Sequence, residues 1–292
     1  MWSSIETFHT AIRFVPVVST FAAAKGLVCT IHIAKASHAD QSRRMDNGPT
    51  ALTVAALTFL LGGFIKGAIG AGLPTVAMGL LTFVMPPAQA AALLIAPTLA
   101  TNVWQAAAGS RLLALIRRLW PMFAGICIGT WLSAGLLTAA DSRGAISALG
   151  VLLTLYGIYG LTAPRLTVPP RAEFWLSPLI GLLTGIASAA TGVFLVPSLP
   201  YLQSLAFDKD DLVQAIGISV LVSTTALTLL LVRDGAFAIS LAGASLAALV
   251  PALLGMWFGQ LVRGRISVER FRVCFFIGLL LLGVHLALRT VL

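Results

Sequence analysis

Long apolar runs, each closed by glycine, proline or arginine, occupy the chain from residue 51 onward. The first covers 51–84, too long for one ordinary crossing of about 20 residues. It is interrupted by Gly62, Gly63, Gly67, Gly70, Gly72 and Pro74, and reads as two helical pieces meeting at a broken centre. Runs at 90–109, 119–139 and 145–163 follow. The pattern then recurs. Residues 174–205 form another long run, broken around Gly185, Gly192, Pro197 and Pro200, and runs at 212–232, 236–262 and 271–288 complete it. Runs that are continuous rather than alternating predict helices, not barrel strands. The expected fold is all-α: a polytopic transmembrane helical bundle of about eight spans, in two homologous halves that each open with a broken helix hairpin.

The repeat shows in residues as well as lengths. GGFIKGAIGAG (62–72) resembles GLLTGIASAATG (181–192), each with two glycines four apart and then a small-residue stretch ending in glycine. GICIGTW (125–131) echoes PALLGMW (251–257), which sets Gly129 and Trp131 against Gly255 and Trp257. The expected organisation is a first transmembrane repeat over 49–164, a basic linker over 165–173 and a second repeat over 174–292. Residues 1–48 stand apart, with five basic residues and three of the four histidines. Their apolar stretch, 14–24, is too short to span a bilayer. They are expected to be a disordered or spurious extension, with Met45 as an alternative start.

Composition and charge sharpen the membrane reading. Hydrophobic residues make up 58% of the chain and charged residues 10%, at a mean hydropathy of +0.97. Soluble domains carry roughly 25% charged residues. The net charge of +9 has a topological explanation. If each broken segment returns to the side it entered, the halves are inverted. The loops holding Arg111, Arg117 and Arg118, Arg165 and Arg171, and Arg263, Arg265, Arg270 and Arg272 then share the cytoplasmic face. Single crossings would divide the basic residues almost evenly. No basic stretch is interleaved with aromatics, so nucleic acid is not an expected partner. Cys29, Cys127 and Cys274 are far apart, without metal-ligand spacing. Cys127 and Cys274 read as small core residues. No metal or other cofactor is implied.

Candidate chemistry centres on the first broken segment. Lys66 is the one charge expected well inside an apolar run, and membranes retain such a charge mostly for function. Snorkelling to an interface is the alternative. Gly67, Gly70 and Gly72 let backbone approach a ligand, and Thr75 places a hydroxyl near a helix start. Free N–H groups, a positive helix end and an ammonium together make an anion site. Thr98, Asn102 and Gln105 share one helix face, for substrate or for interhelical contact. Thr191, Gly192 and Ser219 are the second half's small polar candidates; small-residue packing accounts for them nearly as well. No carboxylate sits mid-run, no nucleophile–base pair is visible and no nucleotide motif occurs, so an enzyme or an ATP-driven pump is not expected. His285 reads as an interface residue.

The segment FLLGGFIKGAIGAGLPTVAMGLLTFVMPPAQAAALLIAPTLATNVWQ resembles the first-half signature of the sulfite exporter TauE/SafE family. GLLTGIASAATGVFLVPSLPYL followed by DLVQAIGISVLVSTT resembles its second repeat. The resemblance covers roughly residues 52–288. It implies a bacterial inner-membrane, multi-pass permease for sulfite, sulfoacetate or related sulfur-containing anions. The second half carries Ala189-Ala190-Thr191-Gly192 where the family often has a fuller glycine run. The resulting expectation is a secondary transporter of small anions in a lipid bilayer, its two halves moving against each other. A non-transporting scaffold or complex subunit is the alternative, and a homo-oligomer is left open.

Overall fold

A computed structural model of the chain describes residues 48–138, 142–162, 167–236, 239–263 and 268–289. The chain divides into Met1–Gly48 and Pro49–Leu292. The expectation for 1–48 lies outside the described residues, apart from Gly48. Among the described residues there are ten helices and no strands. They are α1 (Gly48–Ile69), α2 (Leu73–Leu81), α3 (Pro87–Ala107), α4 (Leu112–Leu132), α5 (Ser142–Thr162), α6 (Pro170–Thr191), α7 (Ser198–Ser204), α8 (Lys209–Arg233), α9 (Ile239–Arg263) and α10 (Val268–Arg289). Seven are long and apolar enough to cross a membrane; in α10 the apolar stretch is the shorter Arg272–Leu288.

Local chemistry sets the helix ends. α3 and α6 each begin with proline in the first turn, where a missing N–H costs nothing. α8 starts after Asp208 with Asp210 and Asp211 in its first turn and ends on Arg233, complementing the helix dipole at both ends. Large side chains such as Phe59, Leu94, Met122, Leu153 and Phe194 fill the interior. The outer surface is apolar too: Leu132 and Trp175 are about three-quarters exposed, as suits a lipid-facing bundle. Cys127 and Cys274 point outward, not into the core as expected. A thiol is apolar enough to face lipid, so an apolar run alone did not tell the two positions apart.

Three contacts fix the directions of the helices. Arg111 Nη1 lies 2.9 Å from Asp211 Oδ2, placing the starts of α4 and α8 together. Arg118 bonds Glu173 at 2.7 and 2.9 Å, placing the early turns of α4 beside the start of α6. Thr138 reaches Asp234 at 3.4 Å beyond the far ends of α4 and α8. Helices α4, α6 and α8 therefore run the same way. Ser245, early in α9, meets Leu93 and Ala96, early in α3. Since α3 ends near Arg111, α3 and α9 run the opposite way. Gly255 and Gly259 of α9 meet Leu60 and Phe64 of α1 in the same order, so α1 joins them. The opening helices α1 and α6 are thus antiparallel, and α2 and α7 sit where each half turns back. Arg111, Arg117, Arg118 and Arg171 gather at one face with the end of α9, as the charge distribution predicts.

The closest helix contacts do not follow the sequence halves. Gly63 and Gly67 of α1 press on the backbone of α9, while Gly255 and Gly259 of α9 press on α1. Gly181 and Gly185 of α6 and Gly125 and Gly129 of α4 repeat that seam. Without Cβ atoms the backbones meet directly, the packing lipid favours. α5 packs on α10, and α3 on α8. Each of these contacts joins one half to the other. The seams also correct the repeat register: Gly125 corresponds to Gly255 and Gly129 to Gly259, one helical turn from the pairing read off the sequence.

Candidate functional site

Lys66 lies in the last turn of α1 at 6% exposure, and its carbonyl accepts from Gly70 N at 2.7 Å. The chain then reverses within three residues. Gly70 has φ 93° and Gly72 φ 110°, values costly for any side-chain-bearing residue. Gly72 caps α2 without a side chain, so no capping oxygen covers the first-turn amides. Pro74 has no N–H to offer, which leaves those of Leu73 and Thr75.

The Lys66 ammonium donates to Asn102 Oδ1 at 2.8 Å. Asn102 is held in turn, its Nδ2 donating to the Thr98 carbonyl at 2.7 Å, which fixes the oxygen toward Lys66. None of the ion pairs seen among the described residues involves Lys66. A narrow cleft opens on this pair. Lys66, Gly70, Gly72 and Asn102 form its polar side, and Leu195, Ile216 and Val220 close the apolar side. Leu195 lies in the second break, between α6 and α7, so both interrupted segments reach the cleft.

The remaining candidates are placed as follows. Thr75, Thr98 and Ser219 are fully buried and do not line the cleft: Thr75 follows the lining Pro74, Thr98 is one turn before Asn102, and Ser219 precedes Val220. Gln105 Nε2 donates to Val213 O at 2.8 Å and toward Gly70 O at 3.4 Å, tethering the first break to α8. Gly67 faces the α9 backbone at Met256, in the seam. Thr191 returns its hydroxyl to Ala187 O at 2.7 Å, and Gly192 ends α6 with φ 70° against Met78 of α2. The seam register sets Lys66 opposite Thr184, whose hydroxyl donates to Ile180 O at 2.8 Å. The cationic site is therefore present in one half only.

Two residues escaped the sequence reading. Gln214 closes the end of α3, donating to Ala106 O at 2.7 Å and accepting from Arg111 N at 3.2 Å. Ser245 bonds α3 beside Pro97. A buried amide in an apolar helix was a usable signal for Gln214; a serine among alanines and glycines gave none for Ser245.

Seven apolar spans around an internal cleft that holds one buried cation define a multi-pass membrane protein built as transporters are. Over residues 55–286 the chain matches the model of the family Sulfite exporter TauE/SafE, and it belongs to that family. The family is one of membrane transporters, not enzymes. No curated protein and no solved structure matches the chain.

Proposed function

We propose that this transporter moves small sulfur-containing oxyanions, sulfite, sulfoacetate or a close relative, by secondary transport through the Lys66 cleft. The observation that carries the reading is Lys66: a buried ammonium whose partner is an amide oxygen, not a carboxylate. Asn102 orients the ammonium and leaves its charge uncompensated. An arriving anion compensates it, with an attraction of about 4 kcal/mol at 4 Å if the local dielectric constant is about 20. Gly70 and Gly72 keep side chains out of the anion's way, and the start of α2 adds its dipole. The apolar wall of Leu195, Ile216 and Val220 limits competing water.

The test is flux in liposomes holding the purified protein, with sulfite, thiosulfate, sulfoacetate and sulfate, with and without pH and sodium gradients. Gradient-driven movement of at least one anion without ATP is expected. Lys66→Ala and Lys66→Gln should lower that flux roughly 100-fold, the loss of one charge-assisted contact of about 3 kcal/mol, while the protein still inserts in the membrane. Undiminished flux in both variants would make Lys66 a structural residue.

A further inference from the structure

Three buried hydroxyls on the helices that line the cleft break a rule that their neighbours keep. Thr101, Thr130, Thr184, Ser188, Ser223 and Thr224 each donate to the carbonyl one turn back, at 2.7 to 2.9 Å. Thr75 Oγ1, Thr98 Oγ1 and Ser219 Oγ have no hydrogen-bond partner, although all three residues are at 0% exposure. Buried side-chain oxygens are nearly always paired, and an orphan costs about 1–3 kcal/mol. Thr98 and Ser219 lie inside helices, as the paired hydroxyls do, yet make no such back-bond.

The positions of two of them share a direction. Thr98 is four residues before Asn102 on the same face of α3, a separation of about 6 Å along the helix. Because α3 runs toward the arginine-rich face, Thr98 lies on the far side of Asn102 from that face. Thr75 follows Pro74 on α2, which leads away from the same face. Ser219 comes one turn after Ile216 on α8. α2 packs on α3, and α3 on α8. Thr75 and Thr98 are thus displaced the same way, toward the opposite face, and Ser219 lies at the level of the cleft, between the lining residues Ile216 and Val220.

We infer that Thr75, Thr98 and Ser219 supply a second, uncharged set of oxyanion donors next to the Lys66 cleft, which receives the anion as it leaves the ammonium. The inference rests on the cleft reading and deepens it. A hydroxyl without an acceptor is free to donate to an anion, and a sulfur oxyanion has several oxygens to accept with. An anion leaving a lone buried cation has no next partner, and neutral donors beside the cation supply one that it can also leave readily.

The test uses the variant Thr75→Val, Thr98→Val, Ser219→Ala beside Lys66→Gln and the wild type. The probe is whichever of sulfite, thiosulfate, sulfoacetate and sulfate the wild type carries fastest. Binding to the purified protein is measured by calorimetry, flux in liposomes and stability by melting temperature. The triple variant is expected to bind the anion within about threefold of wild type, yet to lose flux roughly tenfold or more, as for one charge-assisted hydrogen bond. Its melting temperature should hold or rise, since deleting an unpaired buried hydroxyl removes a cost. Wild-type flux in the triple variant overturns the inference and leaves the cleft reading standing if Lys66→Gln has lost binding. Flux lost together with thermal stability also overturns it, by giving the hydroxyls a structural role. Undiminished binding and flux in Lys66→Gln overturns the cleft reading, and this inference with it.

Discussion

Pro97 has no N–H for the carbonyl of Leu93 one turn back, a bond that a non-proline residue in a helix interior supplies. Ser245 of α9 repairs the gap: its Oγ donates to Leu93 O and accepts from Ala96 N, both at 2.9 Å. Ser245→Ala should therefore leave a buried carbonyl unpaired and cost about 1–3 kcal/mol. The measurement is the melting temperature in detergent, expected several degrees below wild type; an unchanged value means the carbonyl finds another donor. At this scale the sequence was legible where a residue was out of place. Lys66 and Asn102 stood out because charge and amide are rare in apolar helices. Their mutual bond spans 36 residues and was not visible. Nor was Ser245: Pro97 says that a carbonyl needs a donor, but which of many serines provides it is decided by tertiary packing.

Helices meet through glycine in two equivalent seams. The motif P-x3-G-x3-G occurs at Pro121, Gly125 and Gly129 and again at Pro251, Gly255 and Gly259. A Cβ at Gly181 would overlap the carbonyl oxygen of Met122, and one at Gly63 that of Ala252. Gly181→Ala should thus push α6 off α4 and cost about 1–3 kcal/mol by overpacking. Gly278→Ala is the control, because nothing lies within 4 Å of the added carbon. Thermal unfolding of the two variants side by side checks this: the first should melt early and the second should not. Equal melting temperatures would mean the seam yields easily. The glycine spacing also explains why the repeat was legible but its register was not. Glycines four apart look the same after a slip of one turn, and Trp131 and Trp257 favour the slipped pairing of Gly129 with Gly255. The prolines, Pro121 and Pro251, favour the register of the seams instead, and sequence alone does not rank them above the tryptophans.

The inverted arrangement was legible in the arginines because their placement answers to the membrane, not to packing. Which helices cling together answers to packing, and there the expectation of one half moving against the other meets an obstacle. The glycine seams tie α1 to α9 and α4 to α6, and α5 packs on α10, so every one of these pairs takes one helix from each half. Separating the halves would open all three contacts, including backbone-to-backbone approaches that lipid cannot replace as well. The bodies that move should instead be these mixed pairs, shifting around the α3–α8 contact at the cleft. Cross-linking separates the two schemes. In a background with Cys29, Cys127 and Cys274 replaced, Arg118→Cys with Glu173→Cys, joined by a short bis-maleimide, ties α4 to α6 where the ion pair does now. Half-against-half motion would be stopped by that link; motion of mixed pairs leaves it intact, and flux after linking should stay near that of the unlinked variant. Gln105→Cys with Val213→Cys, joined by the same reagent, bridges α3 and α8 at the cleft, and linking there should stop flux. If the first link blocks transport as fully as the second, the halves move as units after all and the seams must slide.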